Sequence, residues 1–166
     1  PGLMGRWHRT VFGVTVPRAA RAAVRVLTVS ERSKRDVIEL YGLHPDRIVV
    51  TPNGVDPVFR PGERGSREYV LSVGAIQRRK NQALALAAAQ EVGLPLVIAG
   101  PEKDAAVARL LREGGATLRG YLPVGELAAL YRGAACLVQA SHYEGFGLPV
   151  LEAMASGTPV VTVPEA

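Results

Sequence analysis

Cysteine is almost missing from this 166-residue chain: Cys136 is the only one. No internal disulfide can form, and a secreted disulfide scaffold or a multi-cysteine zinc module is excluded. A reducing, cytoplasmic setting fits that usage. Aromatic residues make up only 5%, so a core has to be built from Val, Leu, Ile and Ala. No stretch reaches the ~18–20 uninterrupted apolar residues of a membrane span. No secretory signal is visible, because no apolar segment follows the early arginines. Asp-x-Asp and His-x-x-His pairs are absent, and His8, His44 and His142 are too scattered for ligand spacing,. No metal site is expected. What the chain does have, 48% hydrophobic and 21% charged residues, excludes a disordered or fibrous protein,.

Acidic residues are also scarce at one end. Residues 1–35 hold eight bases (Arg6, Arg9, Arg18, Arg21, Arg25, Arg32, Lys34 and Arg35) against Glu31, a net +7. The remainder carries twelve bases and fourteen acids, a net −2, which together make the overall +5. A basic opening of this kind admits a nucleic-acid arm, a patch for an anionic membrane, a transit peptide, or simply a solvated helix face.

Strands alternate with helices along the chain. Val24–Ser30 is a β-branched run, and Ser30 caps a helical stretch that stops at Gly42,. Arg47–Thr51 is a second strand. Asp56–Ser66 carries two prolines and two glycines without periodicity and reads as a linker,. The pattern then becomes strict. Strands are expected at Tyr69–Val73, Leu94–Ala99, Ala116–Arg119, Ala135–Ala140 and Pro159–Val163, with helices at Asn81–Val92, Glu102–Glu113, Gly125–Tyr131 and Pro149–Ser156. Continuous apolar runs between helical patterns indicate a parallel sheet covered on both faces, a doubly wound α/β domain. In such a sheet ligands bind beyond the carboxyl ends of the strands. The loops to examine are therefore Gly74–Asn81, Gly100–Lys103, Gly120–Gly125 and Ser141–Glu152.

Two of them carry chemistry. Glu144-Gly145-Phe146-Gly147-Leu148-Pro149 runs into the helix that contains Glu152. Pro149 suits a first helical turn, and the glycines let a backbone approach a ligand closely. Free N–H groups at a helix start form an anion site. A carboxylate one turn later can accept from a pair of sugar hydroxyls. The plain alternative is a tight turn with two solvated glutamates. In the other loop, Arg78-Arg79-Lys80 places three cations where a helix dipole opposes them,. An anionic ligand, best a diphosphate, would remove that conflict. The alternative is an exposed cationic turn. Gly145-Phe146-Gly147 lacks the third glycine of a dinucleotide fingerprint, and Cys136 reads as an inert core residue,.

The run EGFGLPVLEAMASGTPVV, Glu144 to Val161, resembles the signature of retaining glycosyltransferases of the GT-B fold, the GT4-type family, whose hallmark is two glutamates separated by seven residues. The resemblance extends to TVSERSKRDV (Thr28–Val37), TPNGVDPVFRP (Thr51–Pro61), SVGAIQRRKN (Ser72–Asn81) and RGYLPVGELAALYRGA (Arg119–Ala134), in the right order and spacing. It implies that Glu152 binds the nucleotide ribose and Glu144 contacts the donor sugar. The backbone of Gly145, Phe146, Gly147 and Leu148 would hold the diphosphate, with Lys80 and Arg79 as cationic clamp. Gly74 would let the donor approach, and the Tyr121-Leu122 loop would lie near the base. Fixed N–H dipoles and cations can stabilise a departing nucleoside diphosphate without a metal. Ala75 departs from the family pattern, in which Arg often follows the first glycine, and Arg79 is the candidate substitute.

The resemblance implies one Rossmann-like half of a GT-B architecture. Residues 1–56 are expected as the tail of an N-terminal acceptor domain, 57–66 as linker, and 67–166 as a nucleotide-sugar-binding domain truncated at its end. The expected partners are a nucleotide-sugar donor, a glycan, lipid or small-molecule acceptor, and peripheral contact with an anionic inner membrane. No cofactor and no nucleic-acid partner are expected. The piece alone is expected to bind nucleotide without transferring sugar, and to self-associate through strands lacking their sheet neighbours. Two other functions fit the same residues: a non-catalytic nucleotide-sugar-binding module and a nucleotide-sugar epimerase.

Overall fold

The computed structural model describes residues 6–63 and 65–164. The side chains of residues 6–10 lie outside the described part, and with them the expectations for Arg6, His8 and Arg9. The chain divides into two compact units, residues 1–53 and 54–166.

The first unit opens with helix α1 (Arg6–Ala22), where a solvated helix face was one of several readings of the basic residues. Gly13, Pro17 and the Val/Thr-rich stretch at 10–16 all speak against helix there,. Pro17 nevertheless sits inside it, and the Thr15 hydroxyl donates to the Val11 carbonyl at 2.8 Å,. Strand β1 (Val26–Thr28) and strand β2 (Ile48–Val50) pair in parallel, Val26 opposite Ile48 and Thr28 opposite Val50. Helix α2 (Glu31–Tyr41) packs between them in sequence. Its ends follow the expected chemistry: the Ser30 hydroxyl accepts from the Ser33 N–H at 3.0 Å, and Gly42 adopts φ +63° with its N–H on the Ile38 carbonyl,. Leu27 and Val49 remain exposed on this pair of strands.

The second unit is a five-stranded parallel sheet, β3 (Val70–Val73), β4 (Leu96–Ala99), β5 (Thr117–Leu118), β6 (Cys136–Gln139) and β7 (Val160–Thr162), in the order β5-β4-β3-β6-β7. Strand β3 is central, with Val70 opposite both Leu96 and Cys136. Helices α3 (Gln82–Glu91) and α4 (Ala105–Glu113) cover one face, and α5 (Val124–Gly133) and α6 (Leu148–Ala155) the other. Alternation along each strand feeds both layers. Val70, Leu96, Ile98 and Val138 pack with Ala85, Leu86 and Leu111, while Leu71, Val73, Ala99 and Leu137 pack with Ala128, Tyr131 and Ala153. Full burial of residues such as Leu71, Ile98 and Leu137 contributes about 1.5–3 kcal/mol each,.

The elements differ from expectation mainly at their ends. α4 starts at Ala105 rather than Glu102, because the Asp104 carboxylate accepts from the N–H groups of Ala106 and Val107 and fixes the first turn there,. α3 starts at Gln82: Arg78–Lys80 form a separate 3-10 turn, closed by Asn81 at φ +50°. The segment expected as a linker joins the second unit through Phe59, which is buried edge-on against Tyr131 at 5.7 Å. Cys136 is half-buried beside the first core layer, and burial pushes its thiol pKa up. Among the described residues no helix is long and apolar enough to cross a membrane, and no group of His, Cys, Asp or Glu is placed to hold a metal ion.

Candidate functional site

Chain order reverses between β3 and β6, since later strands are added on both sides of that pair. In open α/β sheets ligands usually bind beside the loops that leave the two strands flanking such a reversal. The two chemistry-bearing segments are the loops that leave these two strands.

The first loop is folded by its own polar groups. The Gln82 side chain, almost fully buried, donates to the Ala75 carbonyl at 3.1 Å and accepts from the Gln77 N–H at 3.4 Å. This bends the chain into the 3-10 turn that presents Arg78, Arg79 and Lys80. The second loop is tied to that turn by the His142 N–H, which donates to the Arg79 carbonyl at 3.0 Å, and by the Arg79 guanidinium, which donates to the Tyr143 carbonyl.

At this junction Glu144 is held from several sides. The Lys80 ammonium donates to its Oε1 at 2.5 Å, the Ser141 hydroxyl at 2.7 Å and the Gln139 amide at 2.7 Å, while Arg79 lies 3.5 Å from Oε2. The Lys80 and Glu144 side chains are each only 11% exposed. Burial alone pushes the carboxyl pKa up, but the Lys80 and Ser141 hydrogen bonds and the nearby Lys80 and Arg79 charges outweigh it, so the pKa falls below its ordinary value,. Glu144 is thus a fixed anion rather than a proton donor.

Each of the three cations has an oxygen partner in the protein. Arg78 lies 3.6 Å from the Asp104 carboxylate, Arg79 meets Tyr143 and Glu144, and Lys80 meets Glu144. The cations stand in their own turn just before α3, and protein oxygens already face them there. Gly74 has a further use. At φ +134°, a Cβ there would stand 3.0 Å from Lys80 Cε, so the glycine makes room for the lysine stem,.

α6 begins at Leu148, with Gly147 at φ +90° and Pro149 in the first turn,. The Gly147 carbonyl accepts from Val150 at 2.9 Å. The N–H groups of Phe146, Gly147 and Leu148 make no hydrogen bond among the described residues. They and the helix dipole form the positive end of α6. Glu152, one turn on, accepts from the Tyr131 phenol at 2.8 Å through Oε2. Gly145 lies between the held Glu144 and this helix start.

Glu144, Lys80 and Arg79 thus come together, with Gly74 beneath Lys80. Tyr121 is 83% exposed, whereas Leu122 packs into the core layer beneath α5. A broad concavity bounded by Pro57, Arg60, Pro61, Gly125 and Arg132 includes none of the site residues. Four supporting residues escaped the sequence reading: Gln82, Gln139, Ser141 and Tyr131. Gln139 did carry a signal, as a lone polar side chain ending an apolar strand.

Residues 58–166 match glycosyl transferases group 1, and residues 3–59 match Glycosyltransferase Family 4. The chain is 36% identical over 164 residues to an O-antigen chain mannosyltransferase B of Escherichia coli, covering 84% of this chain and 43% of that protein. It is also 36% identical over 170 residues to a D-inositol 3-phosphate glycosyltransferase of Acidothermus cellulolyticus, covering 84% and 38%. The chain therefore spans about two fifths of the length of these relatives. Among solved structures, Anabaena Alr3699/HepE in complex with UDP-glucose superposes with a TM-score of 0.81 at 18% identity, covering 99% of this chain and 52% of that one. That likeness concerns the fold, a Rossmann-like half of the GT-B architecture. With its sequence match across the whole β3–β7 sheet, the chain belongs to the group 1 family of glycosyl transferases.

Proposed function

We propose that this chain carries the nucleotide-sugar donor site of a metal-independent, retaining glycosyltransferase that passes a hexose to a glycan, lipid or small acceptor. The observation that carries the reading is the convergence of Lys80 and Arg79 on Glu144, at the sheet's point of reversal, beside the N–H groups that open α6. Both relatives described above are named as sugar transferases, and the superposed Anabaena protein is in complex with UDP-glucose.

In this reading the donor diphosphate lies between the α6 N-terminus and the Arg79–Lys80 turn. The step that needs help is departure of the nucleoside diphosphate, as negative charge grows on its terminal phosphate. Donors already in place stabilise that charge without reorganising. Lys80 supplies a point charge, Arg79 a planar fork, and Phe146, Gly147 and Leu148 supply N–H dipoles. Glu144 holds Lys80 in position and contacts the sugar. Its lowered pKa keeps it ionised near neutral pH, so it acts as an acceptor of sugar hydroxyls and a neighbour of developing positive charge. Glu152 accepts from the ribose.

Titration with UDP and UMP tests the diphosphate part. Lys80→Ala is expected to weaken UDP binding about tenfold or more, the size of one lost charge-assisted hydrogen bond, and UMP binding much less. Equal loss for both nucleotides would contradict the clamp.

A further inference from the structure

Tyr131 has its whole side chain in the core and yet reaches a carboxylate of the candidate site. The residue is 0% exposed and is fixed at both ends. Its ring meets Phe59 at 5.7 Å in an edge-on arrangement with 81° between planes. Its carbonyl accepts from the Thr158 hydroxyl at 2.7 Å and from the Ala134 N–H at 3.1 Å. Neither ring nor main chain has room to swing. The phenol oxygen therefore occupies one place, and Glu152 Oε2 lies 2.8 Å from it.

We propose that Tyr131 is a positioning residue for Glu152: the buried phenol pins Oε2 and so sets the carboxylate in the one orientation that accepts a vicinal hydroxyl pair. The inference rests on the reading of Glu152 as the ribose acceptor. An ionised carboxylate offers about four acceptor sites, two on each oxygen. Tyr131 takes one. Both sites on Oε1 and one on Oε2 remain, which suffices for two neighbouring hydroxyls. A glutamate side chain has three rotatable bonds, and an unpinned one would lose that freedom on binding. The core side chain removes the freedom beforehand.

The direction of the hydrogen bond is settled by the surroundings. Burial raises the phenol pKa, and the Glu152 charge and hydrogen bond raise it further, so Tyr131 keeps its proton and donates at every working pH. Glu152 is then always the acceptor. A carboxylate pinned in this way favours ligands that donate, namely sugar hydroxyls, over ligands that accept.

The test compares this chain with its Tyr131→Phe and Glu152→Ala variants in binding ribose and deoxyribose nucleotides. Phenylalanine keeps the ring, its volume and its contact with Phe59. UDP, GDP and ADP are titrated first, and the tightest binder is compared with its 2′-deoxy and 3′-deoxy forms. The unsubstituted chain is expected to prefer the ribonucleotide at least tenfold. Tyr131→Phe is expected to reduce that preference to threefold or less, with deoxynucleotide affinity nearly unchanged. A purely structural role for Tyr131 would instead weaken ribo and deoxy ligands alike, and that result overturns the proposal. So does a preference left intact in Tyr131→Phe but abolished in Glu152→Ala, which upholds the ribose reading while removing Tyr131 from it. If the unsubstituted chain shows no preference, or binds none of the three nucleotides, the reading of Glu152 fails and the proposal with it.

Discussion

Glu144 and Lys80 stand sixty-four positions apart and meet at 2.5 Å, each nearly shut off from water. Their residue types were legible in the sequence, since a cationic turn and a Glu-Gly-Phe-Gly segment both end predicted strands. Their mutual pairing was not, because no local periodicity links two loops of different strands. For the same reason Gln139 read only as a strand residue, Ser141 only as the first residue of a loop, and Tyr131 as a helix residue of unknown partner. Glu144 has a lowered pKa in the folded chain, against 4.5 for an ordinary glutamate. The unfolded chain then binds the proton first as pH falls, so this carboxylate stabilises the fold above about pH 4.5, and the benefit is lost as pH drops through the folded value. Urea unfolding of the chain and of Glu144→Gln between pH 7 and pH 3 checks the sign. The stability gap between the two is expected to narrow in acid, by at most ~1.4 kcal/mol per pH unit. A gap that is constant or widens would contradict an ionised, paired Glu144.

Elements were legible where caps and periodicity agreed. Ser30 and Gly42 bracket α2 as expected, and the five strands of the second unit fall inside the predicted runs. α1 was hidden by Gly13 and Pro17, whose local preferences speak against a helix there,. The start of α4 was displaced because Glu102 and Lys103 look helical, whereas the capping carboxylate is Asp104. That cap also faces Arg78 at 3.6 Å and thereby ties α4 to the cationic turn. Asp104→Ala is expected to destabilise the chain by about 1 kcal/mol, and Asp104→Asn by much less, since an amide oxygen caps nearly as well. Chemical denaturation distinguishes the two. Equal loss for both variants would show that the exposed pairing with Arg78, rather than the cap, carries the effect.

At the scale of the whole molecule, the doubly wound class followed from continuous apolar strands between helices, but strand order did not. The order β5-β4-β3-β6-β7 puts the point of reversal between the loops that bear Lys80 and Glu144, which explains why two segments distant in sequence form one site. Among the described residues the sheet of the first unit has two strands, β1 and β2, and Leu27 and Val49 are exposed on it. Self-association is the expected consequence. Light scattering should show apparent mass rising with protein concentration, and Leu27→Lys should suppress the rise. A constant monomer mass at high concentration in the unsubstituted chain would contradict it.

The α6 N-terminus, the Arg79–Lys80 turn and Glu152 form the nucleotide-sugar site proposed above. Calorimetric titration of the chain with UDP, GDP and ADP, repeated with Glu152→Ala, tests it most directly. One nucleotide is expected to bind in preference to the other two, and the variant to lose most of this affinity while staying folded. Binding that Glu152→Ala leaves unchanged, or no binding by a folded chain, would contradict it.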